Sequence, residues 1–101
     1  MRTRAHDLGA QRTVEGNVNA GSTPSWSPRA DVTVTRSSLG VYVVRLLQPF
    51  RRSTAVVTVS AYYSNGTFIV TNAGGDQFTV SCFDGAAAAD RNFAFTAVGR
   101  D

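Results

Sequence analysis

From residue 31 onward, hydrophobic and polar residues alternate with a period of two. Val32 and Val34 alternate with threonines, and the segment from Val41 to Leu47 is apolar apart from Arg45. Between residues 54 and 63, one face of the pattern is again apolar and comprises Ala55, Val57, Val59, Ala61 and Tyr63. Because successive side chains of a β-strand point to opposite faces, this pattern predicts six short strands and no sustained helix.

Turn signals separate the predicted strands. Asn65-Gly66 follows Tyr63 directly, and both turn residues tolerate the positive φ angles of a two-residue hairpin. The sequence therefore predicts a hairpin whose return strand directs Phe68 and Val70 inward. The inner faces of the last two strands are predicted to carry Phe78, Val80, Cys82, Phe93, Phe95 and Ala97. Six strands joined by short loops predict an all-β fold, specifically a small antiparallel β-sandwich that is jelly-roll-like.

The first 30 residues differ from the remainder because glycines and prolines interrupt any periodicity. Val14 and Val18 are the only β-branched aliphatic residues in this segment, and Trp26 is its only aromatic residue. We therefore expect an extended N-terminal arm over residues 1–30, followed by a β-sandwich domain over residues 31–101. A ring as large as that of Trp26 is seldom left exposed, so we expect it to hold the arm against its own sandwich or against a neighbouring subunit.

The charge content is low for a globular domain. Charged residues make up 17% of the chain and hydrophobic residues 43%, whereas about 25% charged residues is typical. This balance suggests that part of the surface contacts protein rather than water, as in an oligomer or a lattice. All ten basic residues are arginine, which a GC-rich genome would explain and which also suits protein interfaces, because guanidinium groups form bidentate pairs and stack.

The charge pattern also argues against several classes of partner. The net charge of +3 is scattered along the chain, whereas nucleic-acid binding requires a dense basic face, so we expect no nucleic-acid partner. No apolar run approaches the roughly 18 residues of a transmembrane helix, and the N-terminus lacks the apolar core of a signal peptide. We therefore expect synthesis in a cytoplasm and no membrane partner.

Few residues are suited to catalysis. His6 is the only histidine, and Cys82, the only cysteine, lies on a predicted inner face where a thiol packs as a small hydrophobic group. Asp76, Asp84 and Asp90 flank loops, where carboxylates could serve a glycosidase or bind calcium, but their spacing matches no EF-hand. Capping of turns accounts for them more simply. We expect no enzyme activity, no cofactor and no metal site.

Several segments together resemble a β-domain of phage virion proteins. In that group a strand–turn–strand motif leads to a Pro-Phe pair and a valine-rich strand, and a final strand of the form D..F.F.A.G closes the domain. Here the final motif is matched by Asp90, Phe93, Phe95, Ala97 and Gly99. The other matching segments are Val14–Gly16, Val32–Arg36, Leu39–Val43, Pro49–Phe50, Ala55–Val59 and Gln77–Val80. Two positions depart from the pattern: Asp31-Val32 replaces a usual aromatic residue, and Ala55 a frequent proline.

The resemblance implies a structural role in a bacteriophage virion. Such domains occur in capsid decoration (cement) proteins, head and tail fibres and minor tail proteins, and are commonly homotrimeric. The short chain favours a decoration protein whose arm clamps across a neighbour. Its partners would be other copies of itself and the major capsid protein or other virion proteins, and its location the virion, after synthesis in the host cytoplasm. Arg2, Arg4 and Arg12 would then contact an acidic capsid surface.

Two further groups of residues are candidate contacts. Arg51-Arg52 follows Pro49-Phe50 and could pair with an acidic neighbour or form a solvated basic turn. Tyr62 and Val56 share the less apolar face of a long predicted strand and could line a second sheet contact or an oligomer interface. An alternative function is carbohydrate binding by an adhesion module, for which the available rings are Trp26, Tyr62 and Tyr63.

Overall fold

The chain forms two antiparallel β-sheets. The computed structural model describes residues 10–71 and 73–101, and none of these residues forms a helix. The strands are β1 (Gln11–Asn19), β2 (Ser25–Ser27), β3 (Val32–Ser38), β4 (Val41–Leu46), β5 (Val56–Ala61), β6 (Thr67–Thr71), β7 (Gln77–Asp84), β8 (Ala87–Ala88) and β9 (Phe93–Arg100). The first sheet has the order β2-β1-β9-β5 and the second β3-β4-β7-β6, with β8 added to β7. The predicted all-β class is confirmed.

The hydrophobic core lies between the two sheets. Aromatic rings from opposite sheets meet there: Phe78 and Phe95 have ring centroids 5.4 Å apart, and Tyr42 and Phe93 5.8 Å apart. Eight of the strand positions predicted to point inward are buried, namely Val32, Val34, Phe78, Val80, Cys82, Phe93, Phe95 and Ala97. Ala61, predicted to lie on the inner face of its strand, is exposed at the end of β5. The period-two pattern thus identified the core because each strand buries only one of its faces.

The extended arm predicted over residues 1–30 requires correction from residue 11 onward. Strand β1 pairs with β9 from Gln11↔Arg100 to Val18↔Phe93, and Val14 and Val18 are buried. Gly16 is part of this packing, because a Cβ atom there would lie 2.8 Å from the Ser27 carbonyl oxygen. A glycine that resembles a breaker in the sequence therefore permits close packing. The portion of the predicted arm at residues 1–9 lies outside the described residues.

The predicted hairpin at Asn65-Gly66 is wrong, because the chain changes sheet there. Strand β5 pairs with β9, whereas β6 pairs with β7. The connection between them turns through Tyr63 (φ 51°) and Gly66 (φ 151°), and Tyr63, predicted to face inward, is 89% exposed. The local turn preference of Asn65-Gly66 does not decide the pairing here, because β5 pairs with a strand of one sheet and β6 with a strand of the other. The alternation within the strands is nevertheless correct, since Val57, Val59, Phe68 and Val70 pack against the core.

Candidate functional site

Asp90 is the centre of a paired polar cluster. Its carboxylate accepts hydrogen bonds from the Arg36 guanidinium (3.1 Å to each oxygen), the Gly40 backbone N–H (2.9 Å) and the Tyr42 hydroxyl (2.8 Å). The Arg36 hydrogen bond is the main reason that the pKa of Asp90 is lowered. Burial raises the pKa of Tyr42 to about 12. The carboxylate is therefore ionised and the phenol protonated near neutral pH, and both are fully occupied within the chain.

Asn92, two residues after Asp90, extends this cluster to neighbouring loops. The Asn92 side-chain oxygen accepts a hydrogen bond from the Ala20 backbone N–H (2.8 Å). The Asn92 carbonyl accepts from the Ser64 hydroxyl (2.9 Å) and from the Tyr62 N–H (3.4 Å). No buried side-chain nitrogen or oxygen among the described residues lacks a hydrogen-bond partner. We refer to residues 90–92 with Arg36 and Tyr42 as the Asp90 clamp, and its role is to hold loops together.

Cys82 belongs to the core, as its position in the sequence predicts. Its side chain is fully buried on β7, and the Sγ atom lies 3.8 Å from the Arg91 carbonyl oxygen. Burial raises the pKa of the thiol to about 11, so the reactive thiolate is scarce at neutral pH. His6, the only histidine, lies outside the described residues. Among residues 10–71 and 73–101, no three His, Cys, Asp or Glu side chains form a possible metal site, and no helix is long and apolar enough to cross a membrane.

Three of the predicted contact arginines meet at one end of the fold. Arg12 forms an ion pair with Asp101 (2.7 Å), donates to the Gln48 and Pro49 carbonyls, and places its guanidinium carbon 4.6 Å from the centroid of the Phe50 ring. The Arg52 backbone N–H donates to the Arg100 carbonyl at 3.0 Å. We call this region the basic end; it comprises Arg12, Arg51, Arg52, Arg100 and Asp101. Arg2 and Arg4 lie outside the described residues.

The loop that carries Arg51 and Arg52 is anchored on both sides. The buried Phe50 ring covers Gly99, where a Cβ atom would overlap it. The Phe50 and Ala55 N–H groups donate to the carbonyls of Gly75 (2.7 Å) and Gly74 (2.8 Å). The exposed side chains of Arg51 and Arg52 therefore project from a backbone that is fixed to both sheets.

The three rings of the glycan hypothesis do not form one surface. The Trp26 indole N–H donates to the Val32 carbonyl (2.9 Å), and the Arg29 guanidinium stacks on the ring at 4.3 Å. Trp26 is therefore seated on its own chain. Strands β1 and β9 separate it from the end of β5, a distance of about 14 Å over three strand spacings. Tyr62 and Tyr63 do form a pair, with ring centroids 4.7 Å apart.

The most distinctive surface is an edge without charge. Residues 53–75 contain no charged residue, and they form the terminal strands of both sheets, β5 and β6, which lie beside one another. Within the described residues, five large hydrophobic side chains are exposed, and three of them lie here: Val56 (71%), Tyr63 (89%) and Ile69 (49%). We call β5, its connection through residues 62–66, and β6 the uncharged edge.

The opposite side of the fold has the protection that edge strands usually carry. Arg29 and Asp31 lie between β2 and β3, Arg36 lies within β3, and the indole of Trp26 joins the two strands. Natural proteins commonly place charges, prolines or covering groups on edge strands, because open edges pair with other chains. Strands β5 and β6 have no charge and no proline. The uncharged edge is therefore the surface best suited to contact protein.

Only part of this arrangement can be predicted from the sequence. Val56 and Tyr62 are possible interface residues by their sequence pattern, whereas the pattern does not show that the charge-free run forms two neighbouring edges. That run is visible in the sequence, whereas its division between two sheets is not. The sequence pattern also does not reveal the Asp90 clamp, although Arg36, Tyr42 and Asp90 all lie in the segments that carry the resemblance described above.

Comparison of the chain with protein-family models, with curated proteins and with solved structures finds no match.

Proposed function

We propose that this chain is a non-catalytic structural protein of a bacteriophage virion, a capsid decoration protein or a head or tail fibre knob, that assembles through its uncharged edge. The observation that carries the proposal is the pair of adjacent terminal strands, β5 and β6, with exposed Val56, Tyr63 and Ile69 and no charge between residues 53 and 75. An open edge of this kind promotes aggregation in a protein that works alone, whereas in an assembly it provides a surface for pairing with a neighbouring chain.

The virion part of the proposal rests on the sequence resemblance. The two antiparallel sheets are compatible with the jelly-roll-like β-sandwich that the resemblance implies. The Asp90 clamp supports it further, because it supplies a physical reason for several matching positions. Arg36, Tyr42 and Asp90 are distant in sequence but form one hydrogen-bonded cluster. A motif whose polar members meet in this way preserves a fold rather than a catalytic site.

The basic end supports docking on an acidic partner. Arg51 and Arg52 are exposed on an anchored loop, and arginine pairs well with carboxylates on a protein surface. In this proposal the basic end faces the shell or another virion protein, and the uncharged edge faces a neighbouring subunit. The resemblance implies three subunits.

Light scattering coupled to size-exclusion chromatography tests assembly on the full chain. We expect a mass above the 10.8 kDa of one chain that increases with protein concentration. Thr58→Lys places a charge on the exposed face of β5 and should shift the chain to the monomer. Thr33→Lys is the matched control, because Thr33 is also exposed and lies on β3, the edge strand of the opposite side. A wild-type chain that stays monomeric at millimolar concentration would refute the proposal.

A second candidate function is carbohydrate binding, and the observation that favours it is the Tyr62–Tyr63 pair. Tyr63 is 89% exposed, and an exposed ring can stack on a sugar. A glycan array should then show binding that Tyr63→Ala abolishes. Trp26→Ala serves as the comparison, because Arg29 already covers that ring and its loss should leave binding intact. Absence of binding to every glycan rejects this candidate.

A further inference from the structure

We infer that the partner at the uncharged edge is a second copy of this chain, paired antiparallel strand to strand through β5 about a two-fold axis at Thr58. The inference rests on the proposed assembly function and specifies its partner. Among the described strands, β5 pairs only with β9. Its other side therefore presents the unpaired backbone groups that strand addition uses.

The charge distribution favours a copy of the same chain as the occupant. The chain carries a net charge of +3, so two copies repel each other through their net charge. The uncharged edge is a surface over which two copies can approach without that repulsion. A partner of opposite charge would instead be recognised by charged groups, which the chain places at the basic end.

The sequence of β5 is compatible with pairing to itself. A two-fold axis perpendicular to the sheet keeps the inner face of one copy on the same side as the inner face of the other. Residues opposite each other must therefore come from the same face, which requires one residue to lie opposite its own copy, with the axis midway between the two. With the axis at Thr58, Val56 lies opposite Ser60 of the second copy. On the inner face, Val57 lies opposite Val59 of the second copy. These side chains are small or β-branched and uncharged, as cross-strand pairs require.

This register also covers the most exposed residue of the strand. Val56 is 71% exposed in the single chain and gains a neighbour within the strand when the axis lies at Thr58. An axis at Val59 would instead set Val56 opposite Tyr62, which lies beyond the end of β5. Pairing at Thr58 therefore sets residues 56–60 of the two copies opposite each other and extends the four-stranded sheet to eight strands.

The size of the edge determines how tightly two copies can associate. Six residues of β5 span about 20 Å, and two layers about 10 Å apart with their side chains are about 20 Å deep. The contact therefore covers roughly 400 Å² per copy, about half of the 800 Å² usual for a stable complex. We expect weak, concentration-dependent dimers in solution. In a particle, repeated contacts would strengthen them by raising the effective concentration.

Cysteine cross-linking tests the register in the full chain. Thr58→Cys would set two thiols opposite each other on the axis, with Cα atoms about 5 Å apart, inside the range that a disulfide spans. Ser60→Cys is the matched control, because Ser60 is exposed on the same face of β5. Two Ser60 positions are offset by four residues, or about 13 Å along the strand. Under mild oxidation we expect Thr58→Cys to form the covalent dimer at least about 10-fold faster than Ser60→Cys.

The outcomes separate this inference from the proposed function. If the chain forms oligomers by light scattering while both cysteine variants cross-link equally slowly, the pairing is wrong and assembly through another contact stands. A closed trimer predicts the same result, because its contacts join two different surfaces of neighbouring copies. If the chain is monomeric at every concentration, both proposals fail. Rapid cross-linking of Thr58→Cys alone supports this pairing and assembly through the uncharged edge, and it argues against the closed trimer that the resemblance implies.

Discussion

Removal of the Asp90 carboxylate should destabilise the fold far more than the exposure of this residue suggests. In Asp90→Ala the N–H of Gly40 loses its acceptor, and the buried hydroxyl of Tyr42 keeps only the Gly21 carbonyl oxygen at 3.5 Å. A buried donor left without a partner costs about 1–3 kcal/mol. The partly exposed ion pair with Arg36 adds little to this cost, because solvent screens it. Allowing for water reaching part of the site, we expect the free energy of unfolding to decrease by about 3 kcal/mol.

Two further variants separate the contributions. Asp90→Asn keeps an oxygen for Tyr42 and Gly40 but loses the charge opposite Arg36, and should cost about 1 kcal/mol. Asp84→Ala removes an ion pair with Arg91 in which the Asp84 side chain is 72% exposed, and should cost under about 0.5 kcal/mol. Urea unfolding followed by circular dichroism, at a concentration low enough to exclude association, measures all three. Equal losses for Asp90→Ala and Asp84→Ala would show that the clamp is not what holds these loops.

Three other predictions follow from single groups. Arg36 lowers the pKa of Asp90 below its ordinary value of 3.8, so the ionised carboxylate stabilises the fold at higher pH and that contribution is lost below about pH 4. As the pH is lowered, the free energy of unfolding should therefore decrease less steeply for Asp90→Asn than for the wild type. Burial raises the pKa of Cys82 to about 11. At pH 8 the native thiol should therefore react with a disulfide reagent at least about 100-fold more slowly than the thiol of the chain unfolded in urea. Equal rates in the two states would contradict its burial. Gly99→Ala forces a Cβ atom against the Phe50 ring and should cost about 1–3 kcal/mol. The control is Gly74→Ala, whose nearest atom lies at 3.5 Å, and it should change stability little.

The sequence predicted the core well because burial of one strand face imposes a period of two. Phe78, Val80 and Cys82 show this on β7, and Phe93, Phe95 and Ala97 on β9. Strand β1 escaped prediction because only Val14 and Val18 mark its inner face, and Gly16 between them resembles a turn residue. What makes β1 a strand is its ladder with β9, which lies about 80 residues further along the chain and leaves no local signal.

The uncharged edge could be predicted only in part, because its lack of charge is a local property of the sequence whereas its strand pairing depends on distant residues. A run without charge is a local property and can be read directly from residues 53–75. Whether such a run forms a buried hairpin or two open edges depends on which strands its halves find as partners. The turn at Asn65-Gly66 favoured the hairpin, but β9 accepts β5 and β7 accepts β6. The run that was expected to form an internal hairpin therefore forms two exposed edge strands instead.

The clamp and the uncharged edge are joined through Asn92. Its carbonyl oxygen accepts hydrogen bonds from Ser64 and from the Tyr62 backbone, and these residues lie in the connection between β5 and β6. That connection crosses from one sheet to the other with Tyr63 in a strained positive-φ conformation. Since no ladder joins β5 to β6, the contacts to Asn92 help to fix how the two edges lie relative to each other. Charged and polar groups that are paired within the chain thus position an edge that has no charge of its own, and a second copy would meet two strands already held in place.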